Sequence, residues 1–445
     1  MGNKAQAYTE ELLRFISESP TAFHTVESIS RELEAHGFVE LKESQKWTLE
    51  AGKNYYLTRN QSSILAFRVP TDQPSGYMIA ASHTDSPTFK LKQNHLCPTG
   101  SYVKLATEVY GGTILSSWLD RPLSLAGRVV LCENNRIFTK NVKIDTDLLL
   151  IPNVSIHFNR TVNNGYTYNP AVDMQPLFAQ KGSAEQSLKE LISKELSCSV
   201  SQIVGMELFV YSRTAGTVWG LNHEFFSAPR IDNLMCAYAT MVGFLNSPQP
   251  RHTVSVYYAA DNEETGSSTK QGAASVMMSD ALARVADSLG CDKRLLLADS
   301  MMVSADNAHA IHPNHPELSD GLNAPQMNGG VVIKNNASQK YATDSVSSTI
   351  FEEICKQATV PVQFFHNRSD MAGGSTLGSI SNTQIPLLTV DIGMAQLAMH
   401  SSYETAGTQD TEHLIDAIKA FYSSRLICEK DGCYHLEFYP EQEGH

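Results

Sequence analysis

Two adjacent carboxylates, Glu263 and Glu264, stand where a buried segment ends. Val254-Ser-Val-Tyr-Tyr-Ala-Ala260 is a run of β-branched, aromatic and small residues that reads as a buried strand, and Asp261-Asn-Glu-Glu-Thr-Gly266 stops it abruptly. The strand therefore delivers two carboxylates to its C-terminal end, the edge of an open α/β sheet at which ligands bind. One of the pair can hold a cation while the other faces the same space as a base. An isolated Glu-Glu pair is more often a solvated acidic turn. Here other apolar runs end in the same chemistry. Tyr77–Ser82 leads into His83-Thr84-Asp85, a histidine that a nearby carboxylate can fix in orientation. Asp232 opens a helix after Pro229, where its commonest job is to cap. Arg294–Ala298 reads as a strand continuing towards Asp306, with His309, His312 and His315 beyond, and the strand Ile385–Ile392 leads to His400.

In a parallel sheet such strand ends lie side by side, so residues far apart in sequence can meet. Two adjacent Zn²⁺ ions need one histidine and one terminal carboxylate each and an aspartate shared between them, each ion keeping an open position for water and substrate. The residues fill that requirement with none left over. His83 and Asp306 serve one metal, Glu264 and His400 the other, and Asp232 bridges. Glu263 remains as general base, and Asp85 orients His83. Other hydrolytic devices are missing: His223-Glu224-Phe-Phe-Ser227 lacks the second histidine of a zincin, and there is no Gly-x-Ser-x-Gly elbow and no Walker A loop.

The elements that must position these groups follow an α/β pattern. Amphipathic helices are expected over 8–19 and 22–36, strands at 55–57, 63–69 and 77–82, helices at 230–246, 273–289, 344–357 and 412–427, and a strand at 360–365. From about 93 to 225 the texture changes to strand-like segments (127–132, 147–151, 154–158, 207–211), turns such as Tyr110-Gly-Gly112, and one helix near 184–196. The chain therefore reads as an α/β catalytic domain with a mixed, largely parallel sheet (1–92 and 226–445), interrupted by an inserted β-rich domain (93–225). At 445 residues it exceeds what one hydrophobic core organises.

A net charge of −13 without clustered Lys or Arg argues against nucleic acid and anionic membranes as partners. No apolar stretch has the length of a signal peptide core or a membrane span, so a cytoplasmic protein is expected. The eight cysteines contain no CxxC pair, which fits reduced thiols better than a zinc ribbon or a disulfide framework.

Five motifs together carry a family resemblance: His83-Thr-Asp85-Ser-Pro87, Arg230-Ile-Asp232-Asn233, Asn262-Glu263-Glu264-Thr-Gly266-Ser267, Ser304-Ala-Asp306-Asn-Ala-His309-Ala-Ile-His312-Pro-Asn314 and Gln396-Leu-Ala-Met-His400-Ser401. In this order, from the first helix nearly to the end, the chain resembles the aspartyl aminopeptidases (metallopeptidase family eighteen), cocatalytic dinuclear zinc exopeptidases of the zinc-exopeptidase fold. The resemblance implies two Zn²⁺ per subunit, replaceable by Co²⁺ or Mn²⁺, on His83, Asp232, Glu264, Asp306 and His400, with Glu263 as base and Asp85 in support. It further implies peptide substrates with a free N-terminus, a preference for Asp or Glu there, and a homo-oligomer, a tetrahedral dodecamer built from dimers through the inserted dimerisation domain. For His157 it implies a place near the metals, either as a residue reaching a neighbouring subunit's active site or as a metal ligand. Lys334 is a candidate cation for reading an acidic side chain; its alternative is a surface lysine at a strand end. Asn307 departs from the methionine that the family often has after this aspartate. Two rivals are a dinuclear zinc deacylase or carboxypeptidase, which needs a cationic clamp, and a metal-binding structural or sorting protein without turnover.

Overall fold

In the computed structural model, residues 3–182, 187–374 and 376–439 are described. The strand Gly76–His83 is buried at every position because it lies in the middle of a nine-stranded sheet with helices on both faces. Its side chains alternate between two cores. Met78 and Ala80 pack with the helices Asn3–Glu18, Ala22–Ala35, Ile231–Asn246, Ser345–Gln357 and Asp410–Tyr422. Tyr77, Ile79 and Ala81 pack with Met277–Ser288, Lys293–Ala298 and Leu377–Ser381. Burial on both faces is why the central strands are continuous apolar runs instead of alternating ones.

The sheet runs in the order Val39–Glu40, Asn54–Arg59, Ser63–Arg68, Thr253–Ala260, Gly76–His83, Met301–Ala305, Leu388–Gly393, Val331–Asn335, Val362–His366. Its four central strands, from Thr253–Ala260 to Leu388–Gly393, are mutually parallel. Their register aligns the ends: His83 lies opposite Ala260, and Ser304 lies opposite both Ala81 and Asp391. The chain segments leaving these strands therefore emerge at one edge, and each carries a polar group of the expected set.

Two further sheets frame that edge. A six-stranded antiparallel sheet, in the order Arg136–Lys143, Leu123–Glu133, Ile203–Ser212, Thr88–Thr99, Tyr102–Tyr110, Leu177–Gln180, has its own core around Phe89, Trp118, Leu125 and Val210. A five-stranded sheet of short strands brings Thr217–Trp219 and Phe225–Ala228 beside Glu404–Gly407, Ala395–Leu397 and Ala308–His309. The fold is thus mixed α/β, with a large, largely parallel sheet and a separate antiparallel one.

Several expected elements differ. Arg294–Ala298 is the end of a short helix, Lys293–Ala298, started by Asp292, whose side chain accepts from Arg294 N; the strand follows at Met301–Ala305. Three consecutive leucines carry no period, and the cap decides. Residues 154–158 form an exposed turn instead of a strand, and 147–151 contribute only isolated bridges. The last helix stops at Tyr422, because the chain turns into the hairpin Ser424–Lys430/Cys433–Phe438. The strand expected from Ile385 begins only at Leu388 and runs to Gly393, and a short helix, Leu377–Ser381, precedes it. The helix expected from 184 is described as Ser187–Glu195; 183–186 lie outside the described residues.

Candidate active site

Histidine 83 ends its strand with its ring buried, and both ring nitrogens face carboxylate chemistry. Nδ1 is 3.1 Å from the backbone oxygen of Asp85 and 3.3 Å from its carboxylate. Nε2 is 3.6 Å from Asp232 Oδ1, 3.5 Å from Asp306 Oδ1 and 4.0 Å from Glu263 Oε2. The second oxygen of Asp232 faces the other way: Oδ2 is 3.5 Å from His400 Nε2, which is 3.4 Å from Glu264 Oε2. His400 Nδ1 in turn is 3.1 Å from the carbonyl of Gly112. One buried aspartate therefore stands between two histidine–carboxylate sets.

The backbone explains how these groups reach one place. Asp232 does not cap its helix; Asp232 and Asn233 have non-helical dihedrals inside the segment Ile231–Asn246, their peptide is cis, and the carboxylate is turned into the site. Asn262, at φ 61°, turns the chain from its strand into the single 3₁₀ turn Glu263–Thr265. There the Asp85 carboxylate accepts hydrogen bonds from the backbone N–H of both Glu263 and Glu264, each at 3.2 Å. Asp85 thus holds the two glutamates as well as His83.

The donor set fits bound zinc. Asp232 Oδ1 and Glu264 Oε1 are buried without any hydrogen-bond partner, a costly state unless something else satisfies them. His83, Asp232 and Glu264 each offer a ligand atom within 4.8 Å of the others. Spacings of 3.4–3.6 Å between facing histidine and carboxylate atoms match those of ligands sharing a tetrahedral zinc, roughly 3.3–3.6 Å apart for bonds of about 2.0–2.2 Å.

The electrostatics point the same way. Burial and then the carboxylate of Asp232 push the Glu264 carboxyl well above its ordinary range. Burial also raises Glu263 to about 8, with His83 opposing and Asp306, Asp85 and Asp232 adding to it. For His83, burial alone would favour the neutral ring, but Asp232, Asp306 and Asp85 outweigh it and raise its pKa well above normal. His400 is raised to about 9 in the same way, chiefly through Asp232 against burial. Asp232 is held below its ordinary value by His400 and His83 in spite of burial. Without a cation, the cluster takes up protons to offset crowded negative charge.

Three further residues singled out in the sequence have distinct surroundings. Lys334 is neither a surface lysine nor a free cation: it is 2% exposed, and its ammonium donates to the backbone oxygen of Asp306 at 2.7 Å, with the Asp306 carboxylate at 3.3 Å. It is consumed in holding Asp306. His157 lies on the exposed turn beside Val154, Ile156 and Phe158, whereas the cluster is largely buried. Asn307 is buried, donating to Ile231 O and Gln396 Oε1 and accepting from Cys236 Sγ, so it ties the segments that carry Asp232 and His400.

Two supporting residues escape sequence reasoning. Glu404, 1% exposed, accepts from the backbone N–H of both Asp232 (3.1 Å) and His400 (2.8 Å). Tyr110, in a Tyr-Gly-Gly stretch that reads only as a turn, donates to Asp85 at 2.7 Å. A glutamate four residues after a ligand-type histidine was the one available signal for the first; nothing in the sequence marks the second.

The family profile described as Aminopeptidase I zinc metalloprotease (M18) matches residues 15–422. This chain belongs to the M18 family. A Clostridium novyi protein named "Probable M18 family aminopeptidase 2" is 44% identical over 434 residues, covering 95% of this chain and all of that one. Among solved structures, the Ape4 and Nbr1 complex aligns with a TM-score of 0.91 at 33% identity, covering 94% of this chain and 86% of that one. The S. cerevisiae mApe1 dodecamer aligns at 0.84 and 26% identity, covering 95% and 97%. As an M18 member the chain is a zinc metalloaminopeptidase that removes N-terminal residues from peptides. Among the described residues no helix is long and apolar enough to cross a membrane.

Proposed function

We propose that this M18 enzyme works with two zinc ions, His83 and Asp306 holding one, Glu264 and His400 the other, and Asp232 bridging them. The observation that carries the reading is the pair of Asp232 oxygens, each facing a different histidine that has its own carboxylate. Zinc, when bound, supplies Lewis acidity that acidifies a water and polarises the scissile carbonyl. The protein's own residues do the rest. Glu263, facing His83 from 4.0 Å, takes the proton of the attacking water and returns it to the leaving amine. Asp85 keeps His83 in one ring orientation and fixes the turn bearing both glutamates, and Lys334 and Glu404 hold Asp306, Asp232 and His400 in place. Co²⁺ or Mn²⁺ can take the same donor set of imidazole and carboxylate.

The finer specificity, Asp or Glu first, rests on the resemblance to the aspartyl aminopeptidases. Lys334, the candidate cation for reading that side chain, is engaged by Asp306. The test is a panel of chromogenic aminoacyl substrates with acidic and neutral residues, each offered as the free amine and as its N-acetyl form. The expected result is turnover of free amines only, fastest for Asp and Glu. Turnover of the acetylated forms would make the protein a deacylase, and preference for a neutral residue would remove the acidic reading alone.

The division into 1–92, 93–225 and 226–445, with the middle part serving association, is supported by the separate core of the antiparallel sheet. The assembly proposed is a dodecamer, as in the mApe1 structure, with tetrahedral symmetry, and free cysteines support a cytoplasmic setting. Phe158, 90% exposed beside Val154 and Ile156, is an apolar surface suited to a second subunit, and His157 would reach that subunit's site with it. Mixing exchanging subunits of His157→Ala and Glu263→Gln, each nearly inactive alone, is expected to restore activity in hybrid oligomers. Proven exchange with no recovery would place His157 in its own subunit's site or in no site at all.

A further inference from the structure

The segment that leaves the six-stranded sheet after Tyr102–Tyr110 runs directly over the metal-binding cluster of its own subunit. Tyr110 Oη donates to Asp85 Oδ2 at 2.7 Å and accepts from Asn262 Nδ2 at 2.8 Å. Asp85 is the residue that meets His83 Nδ1 and receives the N–H groups of Glu263 and Glu264, and Asn262 is the residue at which the chain turns into those glutamates. Two residues further on, the contacts pass to the other half of the site. The Gly112 carbonyl faces His400 Nδ1, while Thr113 Oγ1 and Ile114 N both donate to the His400 carbonyl. Between them Gly111, at φ 72°, packs so tightly that a Cβ there would stand 3.1 Å from Glu264 Cβ.

We infer that Tyr110–Ile114 is a positioning strap, by which the inserted sheet fixes the ring orientation of both metal-binding histidines within one subunit, Tyr110 acting on His83 through Asp85 and Gly112 acting on His400 directly. The inference rests on the dinuclear reading above. Its physical basis is that a ligating imidazole gains affinity when its other nitrogen is held, and that a carboxylate performing this task must itself be hydrogen-bonded. Asp85 has three such hydrogen bonds, two from the turn it organises and one from Tyr110. Only the last comes from the antiparallel sheet. Tyr110 is a positioning residue and touches no ligand of the reaction itself. Its ring is held independently, edge-on to Phe209 with centroids 5.6 Å apart, so removal of the hydroxyl leaves the packing in place.

The test compares full-length wild type, Tyr110→Phe and Tyr211→Phe by zinc titration against a competing chromogenic chelator, with the absorption spectrum of the Co²⁺-loaded forms as a second readout. Tyr211 offers a matched loss: it carries a hydroxyl on the same sheet that is bonded to the Ile144 carbonyl and approached by Arg213, neither of them a residue of the cluster. Tyr110→Phe is expected to weaken zinc binding roughly 10- to 100-fold and to alter the Co²⁺ spectrum, while Tyr211→Phe titrates as wild type. Equal weakening in both variants would reduce the effect to a general loosening of the sheet and overturn the inference. So would two zinc ions bound by Tyr110→Phe with wild-type affinity. A wild type that takes up fewer than two would overturn the dinuclear reading first, and the strap with it.

Discussion

Glu263→Gln is expected to keep its zinc and lose turnover by roughly 10²–10⁴-fold, the usual worth of a positioned general base. The two forms have nearly the same shape, so the turn at Glu263–Thr265 and its hydrogen bonds from the backbone to Asp85 survive. What the amide cannot do is accept a proton. Glu263 is suited to that task by its surroundings: burial, together with Asp306, Asp85 and Asp232, raises its carboxyl to about 8 against the opposing effect of His83. Cations bound at the neighbouring residues would bring that value back down, leaving a carboxylate basic enough to take a proton and acidic enough to give it up. The measurement pairs kcat on a free-amine chromogenic substrate with zinc counted per chain. A variant that has lost metal along with activity would make Glu263 a ligand and leave the proton transfer without an owner.

How much of this was legible in the sequence depends on which physical signal each residue leaves. Burial on both sheet faces produces apolar runs, so 77–82 and 254–260 announce themselves, and a polar residue at the end of such a run marks the functional edge. That signal brings His83, Glu263 and Glu264 forward, and it also places Asp306 at the edge even though the strand before it is Met301–Ala305 and not the expected Arg294–Ala298. Asp232 was harder. Its residue type and position fit a helix cap, and only the observed backbone, non-helical at Asp232 and Asn233, turns its carboxylate inward. Contacts between segments distant in sequence leave little local trace. Tyr110 reaches Asp85 across a sheet boundary, Glu404 holds two backbone amides, and Lys334 is buried against Asp306, yet their sequence surroundings are those of a turn and of ordinary strands. The turn at 154–158 misleads in the opposite sense, because its alternating apolar residues have the period of a strand but are exposed.

The second large effect is expected at Asp232. Its side chain is almost completely buried, one oxygen without any hydrogen-bond partner and the other facing His400. Truncation to Ala would remove a ligand from each half of the site at once. It would also take away the negative charge that stands between His83 and His400, so two imidazoles would be left facing each other across an emptied position. In the proposed site a terminal ligand such as Glu264 would serve one ion and the bridging carboxylate both, so neither half of the variant would retain enough donors to hold zinc through dialysis. Activity should fall with the metal, and excess zinc should not restore it. The most direct measurement is therefore the zinc content per chain of dialysed wild type and Asp232→Ala, with circular dichroism confirming that both are folded. The account predicts about two zinc ions in the wild type and close to none in the variant. One firmly held ion in Asp232→Ala, or only one in the wild type, would contradict a site in which a single aspartate joins two metals.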